Sequence, residues 1–192
     1  MVSAARARDI HPMIFTELPL SGAYAIDLQE LPDERGFFAR SYCPEEFAAR
    51  GLGPALGQCS VSYNARKGTL RGLHYQAAPH EEHKLVRCTA GAVFDVIVDI
   101  RRSSSTYRRW YGTELTMANR RALFIPPGFA HGFVSLTDGA EVYYMISAAY
   151  APEFSRGLRW SDPAFAIEWP LAPAVISARD AAYPLMDAPG GA

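Results

Sequence analysis

Apolar stretches long enough to cross a membrane are missing from this sequence: no run approaches the roughly 20 residues that such a helix needs. Cysteine is scarce as well. Cys43, Cys59 and Cys88 are the only three in 192 residues, an odd and scattered set with no CxxC spacing. That argues against a disulfide framework and a cysteine metal site, and suits reduced thiols in a cytoplasmic protein. Neither sign of charge dominates: 19 basic and 20 acidic residues leave a formal net charge of −1. Without a basic block to follow a phosphate backbone, no nucleic-acid partner is expected. The opening "MVSAARARDI" carries arginines but not the apolar stretch of a secretory signal. Internal repeats and low-complexity tracts are absent too.

What is present is apolar material in short pieces. Hydrophobic residues make up 49% of the chain and charged residues 20%, enough for a sizeable core in one domain. β-type runs recur, among them "GQCSVSY", "TLRGLHYQ", "HKLVRCTAG", "AVFDVIVDI", "RRWYGTELT", "HGFVSL" and "EVYYMIS", separated by turns such as "PDERG", "PPGF" and "TDGA". In "VFDVIVDI" the residues Phe94, Val96, Val98 and Ile100 alternate with Asp95, Ile97 and Asp99, a period of two with one apolar face. Only "PEEFAARGL" reads as a short helix, with Gly51 as its stop. The expected fold is all-β, a sandwich or barrel of the jelly-roll type with a few short helices. One domain over residues 1–192 is expected, with an N-terminal arm at 1–16 and an irregular, proline-rich segment at 150–192 wrapping the barrel.

Chemistry has three candidate locations. "TLRGLHYQ" holds Arg71 and His74 in a strand, where strict alternation puts them on opposite faces unless a bulge or twist, easiest at Gly72, brings them together. The plain alternative is a hydrogen-bonded histidine under a loop. "IPPGFAHGF" delivers His131 from a rigid proline-glycine turn. Lys84, Tyr143, Tyr144, Asp162 and Asp180 form the third group. Lys84 could steady an anion or sit solvated on an edge strand. Tyr143 and Tyr144 point to opposite faces, and either aspartate could be a turn or helix cap. His80 and His83, in the polar loop "AAPHEEH", are read as solvated.

Several segments in order carry a wider resemblance. "GLHYQ…HKLVRCTAG" followed by "IPPGFAHGF" is similar to the two-part cupin signature, although Tyr75 and Gln76 follow His74 where a second metal-binding histidine would stand. Together, "RGFFARSY", "GTLRGLHYQ", "KLVRCTAGAVFDVIVDIRRSSSTY", "FIPPGFAHGF", "EVYYMISAAYAPEFSRGLRWSDP" and "ISARDAAYPL" resemble the dTDP-4-dehydrorhamnose 3,5-epimerase family over Glu17 to Leu185. The resemblance implies a cupin-type jelly roll without metal or other cofactor, assembled as a homodimer. Its implied substrate is a nucleotide-diphosphate-linked 4-keto-6-deoxyhexose, inverted at C3 and C5 beside the C4 ketone.

Such a reaction needs a base on one face of the sugar, an acid on the other, and a cation at the ketone oxygen. By resemblance His74 is the base, Asp180 its supporting carboxylate, Tyr144 the acid and Lys84 the cation beside the enolate, with Arg71 nearby. Arg35, Gln58, Arg71, His131 and Arg179 match substrate-binding positions, Arg179 standing where the family usually has lysine, and Tyr150 matches an aromatic that stacks on the base. Three further positions depart from the family pattern. Arg40 and Ser155 replace two substrate-binding glutamates, and Ser60 replaces an asparagine. Exchanging a carboxylate for a guanidinium reverses local charge, so Arg40 is expected to read the substrate differently. The alternative reading is a single-position epimerase of a CDP- or GDP-linked keto-sugar, or a cupin of another chemistry.

Overall fold

Side chains of a strand alternate between its two faces, and in this chain both faces have an apolar destination. The computed structural model describes residues 12–53 and 57–187. Most of the N-terminal arm expected at 1–16, and the last five residues of the expected wrapping segment, lie outside the described residues. One sheet contains β1 (Ile14–Glu17), β2 (Tyr24–Asp27), β5 (Gln58–Asn64), β7 (Lys84–Ala90), β10 (Ala122–Ile125) and β12 (Ala140–Ile146), in the order β1-β2-β10-β7-β12-β5. The facing sheet contains β6 (Thr69–Gln76), β8 (Ala92–Asp99), β9 (Trp110–Thr116), β11 (Phe129–Ser135) and β13 (Ser155–Gly157), in the order β13-β6-β11-β8-β9. A short β14 (Val175–Ile176) also pairs with β6, in parallel. The two sheets form a jelly-roll barrel. A separate hairpin, β3 (Leu31–Asp33) with β4 (Gly36–Phe38), bonds to neither.

Between the sheets lie Val86, Cys88, Val93, Ile97, Leu115, Leu123, Phe133 and Val142, with Tyr111 and Tyr144 packed against them. The other face of the first sheet buries Ile26, Leu85 and Phe124 under helix α1 (Pro44–Ala48), whose Phe47 is the plug. The other face of the second sheet buries Leu73, Val96, Val98 and Ala130 under Leu158, Phe165 and Met186 from the C-terminal segment. Each large apolar side chain buried this way contributes roughly 1.5–3 kcal/mol, so packing rather than its two short strands holds that segment down. Asp162, buried, fastens it further by accepting from the backbone of Ala164 and Met186.

β8 therefore corrects the expectation of one apolar face. Phe94, Val96 and Val98 face the C-terminal cover, while Val93, Asp95, Ile97 and Asp99 look inward and are fully buried. Asp99 is held by Arg101, Ser104 and Thr106. The short helix forms where the sequence calls for it, with Pro44 in its first turn and Gly51 beyond its end at φ +68°.

Candidate active site

In the β6–β11 register, His74 faces His131 and Arg71 faces Phe133. Three steps along β6 thus match two along β11, which is a β-bulge. The extra residue turns Leu73 into the outer core and leaves Arg71 and His74 on one side. Gly72 permits it: its φ is +132°, and a Cβ there would lie 2.5 Å from the Cα of Gly132. Any side chain at Gly72 would collide with neighbouring backbone, so the bulge requires glycine.

His74 Nε2 meets Asp180 Oδ1 at 2.9 Å. Asp180 is buried in the short helix α2 (Ala178–Ala181), which Ser177 caps by accepting from the Asp180 amide. Its other oxygen takes the Gly72 N–H, so the carboxylate is bolted to the bulge that orients the histidine. Burial pushes the Asp180 pKa up, but bonds from His74, Gly72 and Ser177 outweigh it and hold the group below its ordinary value. With Nε2 so engaged, Nδ1 has no hydrogen-bond partner among the described residues and is the ring nitrogen able to take a proton. The ring of Tyr183 stands edge-on to the imidazole, centroids 5.7 Å apart.

The opposite sheet supplies a phenol. Tyr144 on β12 lines the same cavity, of about 350 Å³, while Tyr143 points outward beside Leu85 and Arg87. Burial, and then the nearby Asp95 carboxylate, push the Tyr144 phenol far above its ordinary pKa. It is therefore a protonated donor at neutral pH. Lys84, the first residue of β7, is paired with Glu82 at 3.0 Å. Glu82 also accepts from Gln76, whose side-chain oxygen accepts the Ala151 amide on the rim. His131, 4% exposed, is bonded through Nε2 to both oxygens of buried Asp95, at 3.0 and 2.9 Å, and its ring lies 6.1 Å from that of Tyr144. Both histidines thus turn a nitrogen to a single carboxylate. Among the described residues no group of three His, Cys, Asp or Glu side chains could hold a metal ion.

His74, Tyr144, Lys84, Gln58, Arg71, His131, Tyr150 and Arg179 all line this one cavity, with Asp180 directly behind His74. Arg35 and Arg40 do not. Arg35 sits exposed on the β3–β4 hairpin, bound to Asp33. Arg40 is drawn away by Glu46 of α1 at 2.8 Å, which also accepts the Met13 amide. Both are expected at substrate-binding positions, and neither lines the cavity of its own chain. His80 and His83 are half-buried rather than solvated, stacked near Phe154 and Phe124. Burial lowers the His83 pKa. Sequence reasoning missed Asp95, Gln76 and Glu82 as cavity partners. Asp95 had a legible signal, a carboxylate in an otherwise apolar strand, where burial demands a partner.

Comparisons with known proteins agree with one another. The family model described as dTDP-4-dehydrorhamnose 3,5-epimerase matches residues 17–188. The chain is 39% identical to the Sinorhizobium fredii dTDP-4-dehydrorhamnose 3,5-epimerase over 92% of this chain and 91% of that one. It is 38% identical to the Streptomyces niveus dTDP-4-dehydrorhamnose 3-epimerase, over 85% and 79% of the two chains. The structure superposes with a TM-score of 0.87 on the Bacillus anthracis 3,5-epimerase crystallised with TDP and PPi, at 37% identity, covering 91% of this chain and 99% of that one.

Proposed function

The chain belongs to the dTDP-4-dehydrorhamnose 3,5-epimerase family, and from that premise we propose how its cavity works. The protein is an isomerase, an epimerase of a dTDP-linked keto-sugar. His74, steadied by Asp180, removes the proton on the carbon beside the C4 ketone. The electron pair moves onto the ketone oxygen, and Lys84 and Arg71 steady the oxyanion. Tyr144 then gives its proton to the same carbon from the other side, which inverts it. One proton leaves and one arrives, so the step is redox-neutral. Gln58, His131, Tyr150 and Arg179 hold the nucleotide and sugar.

One observation supports this reading above the rest: His74 rises from β6 and Tyr144 from β12, in facing sheets, into a single cavity. A base and an acid so disposed reach opposite faces of a ring between them. General acid or base catalysis contributes about 10²–10⁴-fold, so each group matters to turnover.

Arg35 keeps a substrate role only if the hairpin serves a second copy. The β3–β4 hairpin pairs with neither sheet and exposes Phe37 and Phe38, the latter at 63%. We propose a homodimer in which this hairpin carries Arg35 to the partner's cavity. No helix among the described residues is long and apolar enough to cross a membrane, and the three cysteines are free, which suits the cytoplasm we propose for the enzyme.

A second reading, inversion at one carbon, draws on the similarity to the 3-epimerase. Proton NMR of dTDP-4-keto-6-deoxyglucose turnover in D2O separates them. Deuterium at both C3 and C5 is expected for the 3,5-epimerase. Deuterium at C3 alone would establish the single-position enzyme, and none at either carbon would refute the proposed chemistry.

A further inference from the structure

The arginines and lysines of a protein advertise anion sites only where their charge is not already spent. Several here are spent: Asp33, Glu46, Asp99, Asp187 and Asp27 each take a guanidinium. Inside the cavity Lys84, assigned above to the ketone oxygen, shares its charge with Glu82. Arg71 and Arg179 differ. Arg71 is held by the neutral Asn64 side chain and the Tyr63 carbonyl.

Arg179 lies at the mouth, on α2, and gives an N–H to the hydroxyl of Ser155 at 2.9 Å. Its guanidinium is 5.7 Å from the Tyr183 ring, and its other electrostatic neighbours are the Tyr150 and Tyr183 hydroxyls. The adjacent Asp180 offers no compensation, because its carboxylate is taken by His74 and Gly72. So a guanidinium stands beside an exposed aromatic, Tyr150, and its partners among the described residues are hydroxyls.

We infer that Ser155 determines specificity at this mouth: by giving Arg179 a neutral partner it leaves a full positive charge for the diphosphate of a nucleoside-diphosphate ligand. The inference rests on the nucleotide-sugar reading above. An uncharged hydroxyl fixes the direction of the guanidinium without diverting its charge. A carboxylate at position 155 would form a charge-assisted pair, roughly twice as strong as the neutral bond, and the ligand's phosphates would have to compete with it. Arg179 then discriminates by phosphate charge, while Tyr150 offers a flat face to the base.

The test compares two variants of one size and different charge, Ser155→Gln and Ser155→Glu, by calorimetric titration with dTDP and, separately, with thymidine. At low ionic strength Ser155→Gln is expected to bind dTDP within about 3-fold of the unaltered protein, and Ser155→Glu about 10-fold or more weakly. The gap should close near 1 M salt, where the screening length falls to about 3 Å. Thymidine, lacking phosphate, should bind all three proteins alike. Arg179→Gln should weaken dTDP as much as Ser155→Glu does, and this arm stands even if a position-155 variant misfolds. Equal dTDP affinity in the Glu and Gln variants, or full affinity in Arg179→Gln, would overturn the inference. An unaltered protein that binds neither dTDP nor thymidine would instead sink the nucleotide-sugar reading beneath it.

Discussion

His74 owes its usefulness to its neighbours. Its one bonded partner among the described residues, Asp180, is fixed by Ser177 and by the Gly72 amide, so the imidazole is held in one orientation with Nδ1 turned away from that carboxylate. Asp180→Asn should keep the fold but lower kcat by about 10²-fold or more with a smaller change in KM, since the amide supports the wrong tautomer. Unchanged kcat in that variant would show that Asp180 only holds α2 in place. Asp99 illustrates a carboxylate spent on structure. Burial pushes it up, yet bonds from Arg101, Ser104 and Thr106 hold its pKa at about 2, against an ordinary 3.8. A depressed folded-state pKa contributes stability above the unfolded value, here about 2 kcal/mol, which is lost as pH falls from about 4 to about 2. Urea unfolding across that range should follow this course, and Asp99→Asn should be less stable at neutral pH and lose that part of the acid dependence. At this scale the sequence was informative about which side chains matter and poor about their partners. His74, Lys84 and Tyr144 stand out by type, whereas Glu82 looked like loop and Asp95 like half of an alternation.

Strand alternation explains both what was legible and what was not among the elements. Runs such as "TLRGLHYQ" and "AVFDVIVDI" declare strands, and their number declares a jelly roll. Alternation alone, however, assigns Arg71 and His74 to opposite faces. The bulge brings them together, and its only sequence trace is Gly72. Gly72→Ala should cost several kcal/mol, because the added methyl meets Gly132 backbone at 2.5 Å and φ is +132°. A melting temperature within a degree or two of the unaltered protein would show that the strand slips past the bulge at little cost. The inner and outer faces of β8 were hidden for a different reason. A strand covered on one side by a barrel and on the other by a distant C-terminal segment has no polar face to give its orientation away.

At the scale of the molecule, the barrel matters because it sets two sheets face to face and the proposed catalytic pair spans them. The proposed dimer adds a second demand, a hairpin reaching a neighbour. An Arg35→Ala protein keeps its own His74, and a His74→Ala protein keeps its own hairpin, so mixing the two should yield activity well above their sum once subunits exchange. No recovery in exchanged dimers would confine each site to its own chain. That base and acid act from opposite sides of the sugar is tested by deuterium incorporation measured alongside epimer formation in D2O. His74→Ala should lose both by about 10²-fold or more, and Tyr144→Phe should still take up deuterium at the substrate carbon, without inversion. Inversion at an undiminished rate in Tyr144→Phe, or undiminished exchange in His74→Ala, would contradict it.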